Sequence, residues 1–184
     1  MGDDEIRAAL GRGDLRTLHR LLVAEHYRAV FDRCLAICRV RSTAEDAAQN
    51  TFLKVLERPD QLHSVGSYRA WLLSVATTTT IDLLRSSQRH RDRADRYHQS
   101  AVANEDTVMP PPASEAQRVA AAIQACLAEL ALETRAAFLR RHQDDASWAD
   151  IAREVNLEVD AVRMRVRRAE REIEARLRAL GIEP

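Results

Sequence analysis

The strongest chemistry in this sequence sits near its C-terminus. Arg163, Arg165, Arg167, Arg168 and Arg171 fall within nine positions, against one acid, Glu170. Guanidinium groups keep their charge and present a planar fork of donors, which suits phosphate oxygens and the O6 and N7 edge of guanine. On a helix at about 100° per residue, Val159, Val162, Val166, Ala169 and Ile173 share one side. Asp160, Met164, Arg167, Arg168 and Arg171 lie opposite, with Arg163 and Arg165 on the flanks. Such a helix suits the major groove of DNA; a solvated surface helix is the plainer alternative. The residues just before it favour the groove. Ile151, Ala152 and Val155, a break at Asn156 to Glu158, and then Val162 and Val166 form the skeleton of a helix-turn-helix. Asn156 tolerates the left-handed conformation that a tight break requires.

Other reactive side chains are dispersed. Cys34 and Cys38 lie one helical turn apart, which leaves a thiol sensor or half a metal site open. Their neighbours Leu35, Ala36 and Ile37 favour buried structural cysteine. Cys126 makes the number odd, without zinc-type spacing, which suits reduced thiols in a cytosol. His19, His26, His63, His90, His98 and His142 are scattered. There is no Gly-rich phosphate loop and no Ser, His and Asp set tied together by sequence. The expectation is a protein that is not an enzyme and uses neither metal nor cofactor.

The elements that must hold these residues are helices. Charged residues make up 30% of the chain, hydrophobic ones 46%, and Gly and Pro number five each among 184 residues, a composition that favours an all-α fold. Lys+Arg and Asp+Glu balance at 28 each, so any basic surface must come from local segregation. No apolar run spans a bilayer and the acidic start, Met1 to Glu5, is unlike a signal peptide, so a cytoplasmic protein is expected.

An amphipathic opening from Glu5 to Leu10 ends at Gly11 to Gly13, and Asp14 is placed to cap a helix from Leu15 to about Val40. Thr43 to Asp46 has the form of a capping box, opening a second helix to about Glu57. Arg58 to Val65 reads as a loop, and Ser67 begins a third long helix through Trp71, Leu72, Val75, Ile81, Leu83 and Leu84. Thr77 to Thr80 is its weak stretch, because β-branched residues lower helix propensity. From Tyr97 to Ala113 the periodicity vanishes and Pro110 to Pro112 appear, marking a linker. Beyond it Ala116 to Ala131, Glu133 to His142, a helix opened by Ser147, and Val159 to about Leu180 are predicted. The sequence thus divides into a first domain over 1–96, a flexible linker over 97–113 and a second domain over 114–184, the latter containing the helix-turn-helix.

Ser147-Trp-Ala-Asp-Ile-Ala152 followed by Val162-Arg-Met-Arg-Val-Arg-Arg-Ala169 resembles the region 4 helix-turn-helix of extracytoplasmic-function sigma factors, of the sigma-70 class. Ala44 to Gln49 with Thr51-Phe52-Leu53 is similar to their region 2.2. Gly66 to Leu72, with Ile81-Asp-Leu-Leu-Arg85, is similar to regions 2.3 and 2.4. The blocks occur in the family's order and cover most of the chain.

The resemblance implies a subunit that binds core RNA polymerase, through the β′ clamp helices and the β flap, and directs it to promoter DNA. It implies that Asp46, Gln49 and Phe52 dock on the clamp helices; cap, surface polar group and core residue are their plainer roles. It implies that the loop holding Leu62, His63 and Ser64, with the helix after it, captures bases of the melted minus-10 element. Tyr68 and Trp71 are aromatic candidates for stacking there, although Trp71 matches a core position. Arg85, Arg89, Arg91, Arg93 and Arg96 would form a basic tail for phosphate. Arg163, Met164, Arg167 and Arg168 would approach the minus-35 major groove, with Arg165 and Arg171 on phosphates. An anti-sigma factor wedged between the domains is a further implied partner.

The chain departs from the family at several positions. Thr77-Thr78 replaces a common Arg-Asn pair, so Thr78 stands where an amide would read a minus-10 base. Met164 occupies a position often small and polar, Asn156 replaces a glycine, and Glu158 replaces a serine cap. Promoter sequence therefore does not carry over. A free-standing helix-turn-helix regulator and a sigma-like interaction module are the rival readings.

Overall fold

A computed structural model describes residues 2–94 and 115–182. The chain divides into two compact units, Met1–Ala103 and Asn104–Pro184, and every described element is helical.

In the first unit α1 (Gly2–Gly11) is followed by a turn at Gly13, whose φ of 67° is a conformation glycine adopts without a Cβ clash. The Asp14 side chain then caps α2 (Leu15–Cys38) by accepting from the Thr17 N–H at 3.0 Å. Hydrogen bonding by the Thr17 side chain, and then by this backbone N–H, draws the Asp14 carboxyl below its ordinary range. The helix stops at Cys38, two residues short of the predicted end, because Arg39 turns left-handed with φ of 64° and its N–H bonds to Leu35 O.

This early turn also shifts the next helix. α3 (Arg41–Glu57) starts with extended Val40 as its N-cap and no side-chain cap bond. Thr43 therefore lies inside the helix, and the predicted capping box at Thr43 to Asp46 is not formed; the Arg41 to Glu45 pair at 3.0 Å supports the first turn instead. The predicted loop after α3 contains a short 3-10 helix, Pro59–Ser64, with proline suited to its first turn.

The long α4 (Tyr68–Ala94) starts after Ser67, whose Oγ accepts from the Ala70 N–H at 3.3 Å. Three of the four hydroxyls in its threonine run bond back to the helix. Thr77 Oγ1 donates to Leu73 O and Thr80 Oγ1 to Ala76 O, both at 2.7 Å, and Thr78 Oγ1 donates to Val75 O at 2.9 Å. These three polar atoms are thereby satisfied locally, whereas the buried Thr79 Oγ1 has no hydrogen-bond partner among the described residues.

Helices α1, α3 and α4 all pack on α2. Ala44, Ala47 and Ala48 are fully buried and let α3 approach closely, while Leu18, Leu22, Val30, Phe52, Val55, Leu62, Tyr68 and Leu72 fill the core. Cys34 belongs to this core; burial pushes its thiol up to about 11, which opposes a thiolate sensor. Cys38 Sγ donates to Val40 O at 3.3 Å, and no metal-ligand cluster occurs among the described residues.

The second unit comprises α5 (Glu115–Glu129), α6 (Leu132–Asp144), α7 (Trp148–Val155) and α8 (Val159–Ala179). Arg135 closes the α5 to α6 turn by donating to Leu127 O, Ala128 O and Leu130 O at 2.8 to 2.9 Å. These carbonyls lie at and just beyond the end of α5, where a helix leaves carbonyls without intrahelical partners; Leu127 O also accepts from the Leu130 N–H at 3.3 Å. The predicted linker over 97–113, with Pro110 to Pro112, lies outside the described residues.

Candidate nucleic-acid interface

α7 and α8 are built by two unlike caps and one left-handed residue. Ser147 accepts from the Asp150 N–H at 3.1 Å and its hydroxyl donates to Asp150 Oδ2 at 2.6 Å. The serine bond and then Arg153 hold the Asp150 carboxyl below its usual range. Asn156 ends α7 with φ of 55°, its N–H bonding to Ala152 O and Arg153 O. α8 begins after Glu158, which supplies no side-chain cap bond, so its position is set by packing. Ile151, Ala152 and Val155 of α7 and Val162, Val166, Ala169, Ile173 and Leu177 of α8 are all buried. At ~25 cal/mol per Å2 of apolar surface removed from water, this shared core outweighs a missing cap of about 1 kcal/mol.

Two polar ties fix the helices further. The Arg140 guanidinium of α6 donates to Glu154 Oε2 and Oε1 at 2.7 and 2.8 Å and to Asp144 Oδ2 at 2.7 Å. Its side chain and both carboxylates are 6 to 7% exposed. Burial alone would lower the Arg140 pKa, but Glu154 and then Asp144 raise it overall. His142 of α6 lies 3.0 Å from Glu170 of α8. The one acid within the arginine run therefore has a hydrogen-bond partner, and five arginines stand against it over Arg163 to Arg171.

Arg163, Met164, Arg165, Arg167, Arg168 and Arg171 are all exposed, as the helical wheel predicts. Arg163 pairs with exposed Asp160 at 3.4 Å and Arg168 with Glu172 at 2.9 Å. Arg171 Nε donates to Arg167 O at 3.3 Å. Arg165 and Arg167 form no ion pair among the described residues. Surface pairs of this kind are worth about 1 kcal/mol or less, so phosphate can displace them.

The first unit presents a second candidate surface. Asp46 and Gln49 are exposed along α3, joined by Leu53, which is 55% exposed. Phe52 is not with them. It is 3% exposed, with its ring stacked on Tyr27 at 6.3 Å and edge-on to His19 at 6.4 Å. Direct docking through Phe52 is therefore replaced by a packing role, and Leu53, one position on, is the apolar residue that faces outward. Sequence periodicity alone did not separate these neighbours.

At the next site His63 and Ser64 are exposed on the 3-10 segment, whereas Leu62, 1% exposed, anchors it in the core. Tyr68 is 3% exposed, which removes it as a stacking platform; Trp71 is half-buried against the same core. Thr78 is half-buried with its hydroxyl turned to Val75 O, and Arg85 is half-buried. Arg89 is exposed, while the side chains of Arg91 and Arg93 and the whole of Arg96 lie outside the described residues. The described part of the predicted basic tail is thus Arg85 and Arg89.

Comparison with known proteins places both surfaces in context. A family model described as Sigma-70 region 2 matches residues 22–90, and one described as Sigma-70, region 4 matches residues 120–173. The ECF RNA polymerase sigma factor SigL of Mycobacterium tuberculosis is 30% identical over 166 residues, covering 90% of this chain and 92% of the relative. The ECF RNA polymerase sigma factor SigW of Bacillus subtilis is 24% identical over 82% of this chain and 84% of the relative. Among solved structures, the sigma factor RpoE of Bartonella quintana in complex with the anti-sigma factor NepR matches with a TM-score of 0.63 at 19% identity. That match covers 86% of this chain and 96% of RpoE. CnrH in complex with the cytosolic domain of CnrY gives 0.57 at 21% identity, over 97% and 99% of the two chains. These two structures share the helical fold.

Proposed function

Because this chain belongs to the sigma-70 family, as an extracytoplasmic-function sigma factor that binds core RNA polymerase and directs promoter recognition, we propose a division of labour between its units. Residues 1–96 dock on polymerase and open the minus-10 region, 97–113 link, and 114–184 read the minus-35 element. The observation that carries the last assignment is the exposed arginine face of α8, backed by a buried apolar stripe and the α7 turn. Arg163, Met164, Arg167 and Arg168 approach base edges, while Arg165 and Arg171 neutralise phosphate.

Asp46 and Gln49 supply the polar part of the clamp-helix contact, with Phe52 supporting their helix from beneath. His63 and Ser64 form the tip that meets melted minus-10 bases, held by Leu62, and Arg85 follows the backbone. Thr78, bonded to its own helix, gives weak base reading there. The β flap is the natural partner of the second unit. The neighbour RpoE is held by the anti-sigma factor NepR, which supports a comparable partner for this chain. The work is binding rather than catalysis, in the cytoplasm with the polymerase.

Run-off transcription with purified core polymerase, on a fragment from upstream of the protein's own gene, tests this reading. A discrete transcript that requires the protein is expected. Duplex binding without polymerase and no transcript would instead indicate a free-standing regulator.

A further inference from the structure

Met164 is the most exposed of the large hydrophobic side chains among the described residues, at 70%. Its place on α8 is specific. The buried stripe is Val162, Val166, Ala169 and Ile173, and at about 100° per residue Met164 stands nearly opposite its centre. It is therefore the outermost point of the first half of the helix. Asp160 lies one turn before it and Arg168 one turn after, with Arg163 and Arg167 on one flank and Arg165 on the other. The fold makes no use of it, since α8 is held by its opposite face and by the His142 to Glu170 tie.

A single exposed apolar residue on a surface is ordinary. This one, however, crowns a helix whose other outward groups are cations suited to DNA. A helix that sets those cations on phosphates and guanine edges pushes its most protruding side chain to the floor of the major groove. That floor carries donors and acceptors, and its one apolar group is the C5-methyl of thymine. Desolvating a thioether chain against polar edges leaves those edges unpaired, which is costly. Against a methyl group the same burial is favourable. We infer that Met164 reads a thymine methyl within the minus-35 element, beside the base read by Arg167 or Arg168. The inference rests on α8 being the minus-35 helix and adds the chemistry of one base to it.

The test uses holoenzyme assembled from core polymerase and the full chain, bound to a promoter that the run-off assay has identified. Each thymine of the minus-35 element, on either strand, is replaced in turn by deoxyuridine, which lacks only the methyl. At one position the replacement weakens wild-type binding about fourfold, the equivalent of ~0.8 kcal/mol for one buried methyl-sized group. Met164→Leu keeps this sensitivity because it keeps an apolar tip, whereas Met164→Ala loses it and binds both duplexes alike. The inference is overturned if no deoxyuridine position matters to wild type, or if the penalty persists undiminished in Met164→Ala. Insensitivity of wild-type holoenzyme to base-pair exchanges throughout the element is a distinct result: it removes the minus-35 role of α8, and the methyl contact with it.

Discussion

Glu154 of α7 grips the Arg140 guanidinium of α6 through two parallel hydrogen bonds of 2.7 and 2.8 Å, with both side chains 7% exposed. The pair ties the first helix of the helix-turn-helix to the helix beneath it. Removing Arg140 takes the cation from two carboxylates held away from water, Glu154 and Asp144, and breaking a buried pair costs about 3 to 5 kcal/mol. Arg140→Met should therefore lower the stability of the second unit by that order, read as a lower denaturant midpoint in chemical unfolding. The triple variant Arg140→Met, Asp144→Asn, Glu154→Gln should recover much of the loss, because neutral amides replace both buried carboxylates. Equal destabilisation by the single and triple variants would show that packing, not charge, sets the cost.

A second stability effect depends on pH. His26 is 6% exposed within the first unit, and no hydrogen bond reaches its Nε2 among the described residues. Burial lowers its pKa, with Arg69 adding to the effect and Glu25 and Asp3 opposing it. The folded state thus favours neutral imidazole. Above the ordinary histidine value of about 6.5 both states are neutral there and the group has no effect. As pH falls below that value, the unfolded chain takes up a proton more readily and stability declines until the lowered folded pKa is reached. His26→Gln should flatten this acid limb relative to wild type in melts between about pH 7 and 5. An unchanged slope would assign the acid sensitivity to other groups.

Much of this architecture was legible because it is local. Asp14 and Ser147 cap through residues three positions away, Asn156 adopts the left-handed turn its side chain tolerates, and α8 keeps one apolar period from Val162 to Leu177. What could not be read depends on packing between helices. Arg140 and Glu154 lie fourteen residues apart and look like ordinary surface charges until two helices enclose them. Phe52 and Leu53 are adjacent apolar residues, and only the rings of Tyr27 and His19 decide which turns inward. The Thr43 box had the right letters, but Arg39 turned left-handed and started α3 before it.

The stripe on α3 leads to a prediction about polymerase docking. Asp46 and Gln49 are exposed and three residues apart, so both can be changed without disturbing Ala47, Ala48 or Phe52 beneath them. The double variant Asp46→Arg, Gln49→Arg should retain its helical circular dichroism and lose co-purification with core polymerase. Leu53→Ala, which removes the apolar neighbour on the same face, should weaken co-purification to a lesser degree. Undiminished recovery of polymerase by the folded double variant would move the docking surface away from α3.

The arginines of α8 should separate by role, because groove edges and phosphates respond differently to sequence and salt. Arg167 lies outward in the first half of the helix, without an ion pair among the described residues, and its guanidinium can bridge one guanine edge. Such a bridge is worth about 1 to 3 kcal/mol of discrimination, so Arg167→Ala should relax preference at one or two base pairs of the minus-35 element. Arg171 lies one turn further along, its Nε directed to Arg167 O at 3.3 Å, and is assigned to phosphate. Arg171→Ala should lower affinity almost equally for all sequences, and the slope of log K against log salt should shrink by about 0.9 for each phosphate no longer neutralised. Both are to be measured with holoenzyme on the full promoter, over a salt series and a panel of minus-35 variants. A uniform loss from Arg167→Ala, matching that of Arg171→Ala and leaving base preference unchanged, would make Arg167 a phosphate clamp and shift guanine reading to Arg163 or Arg168.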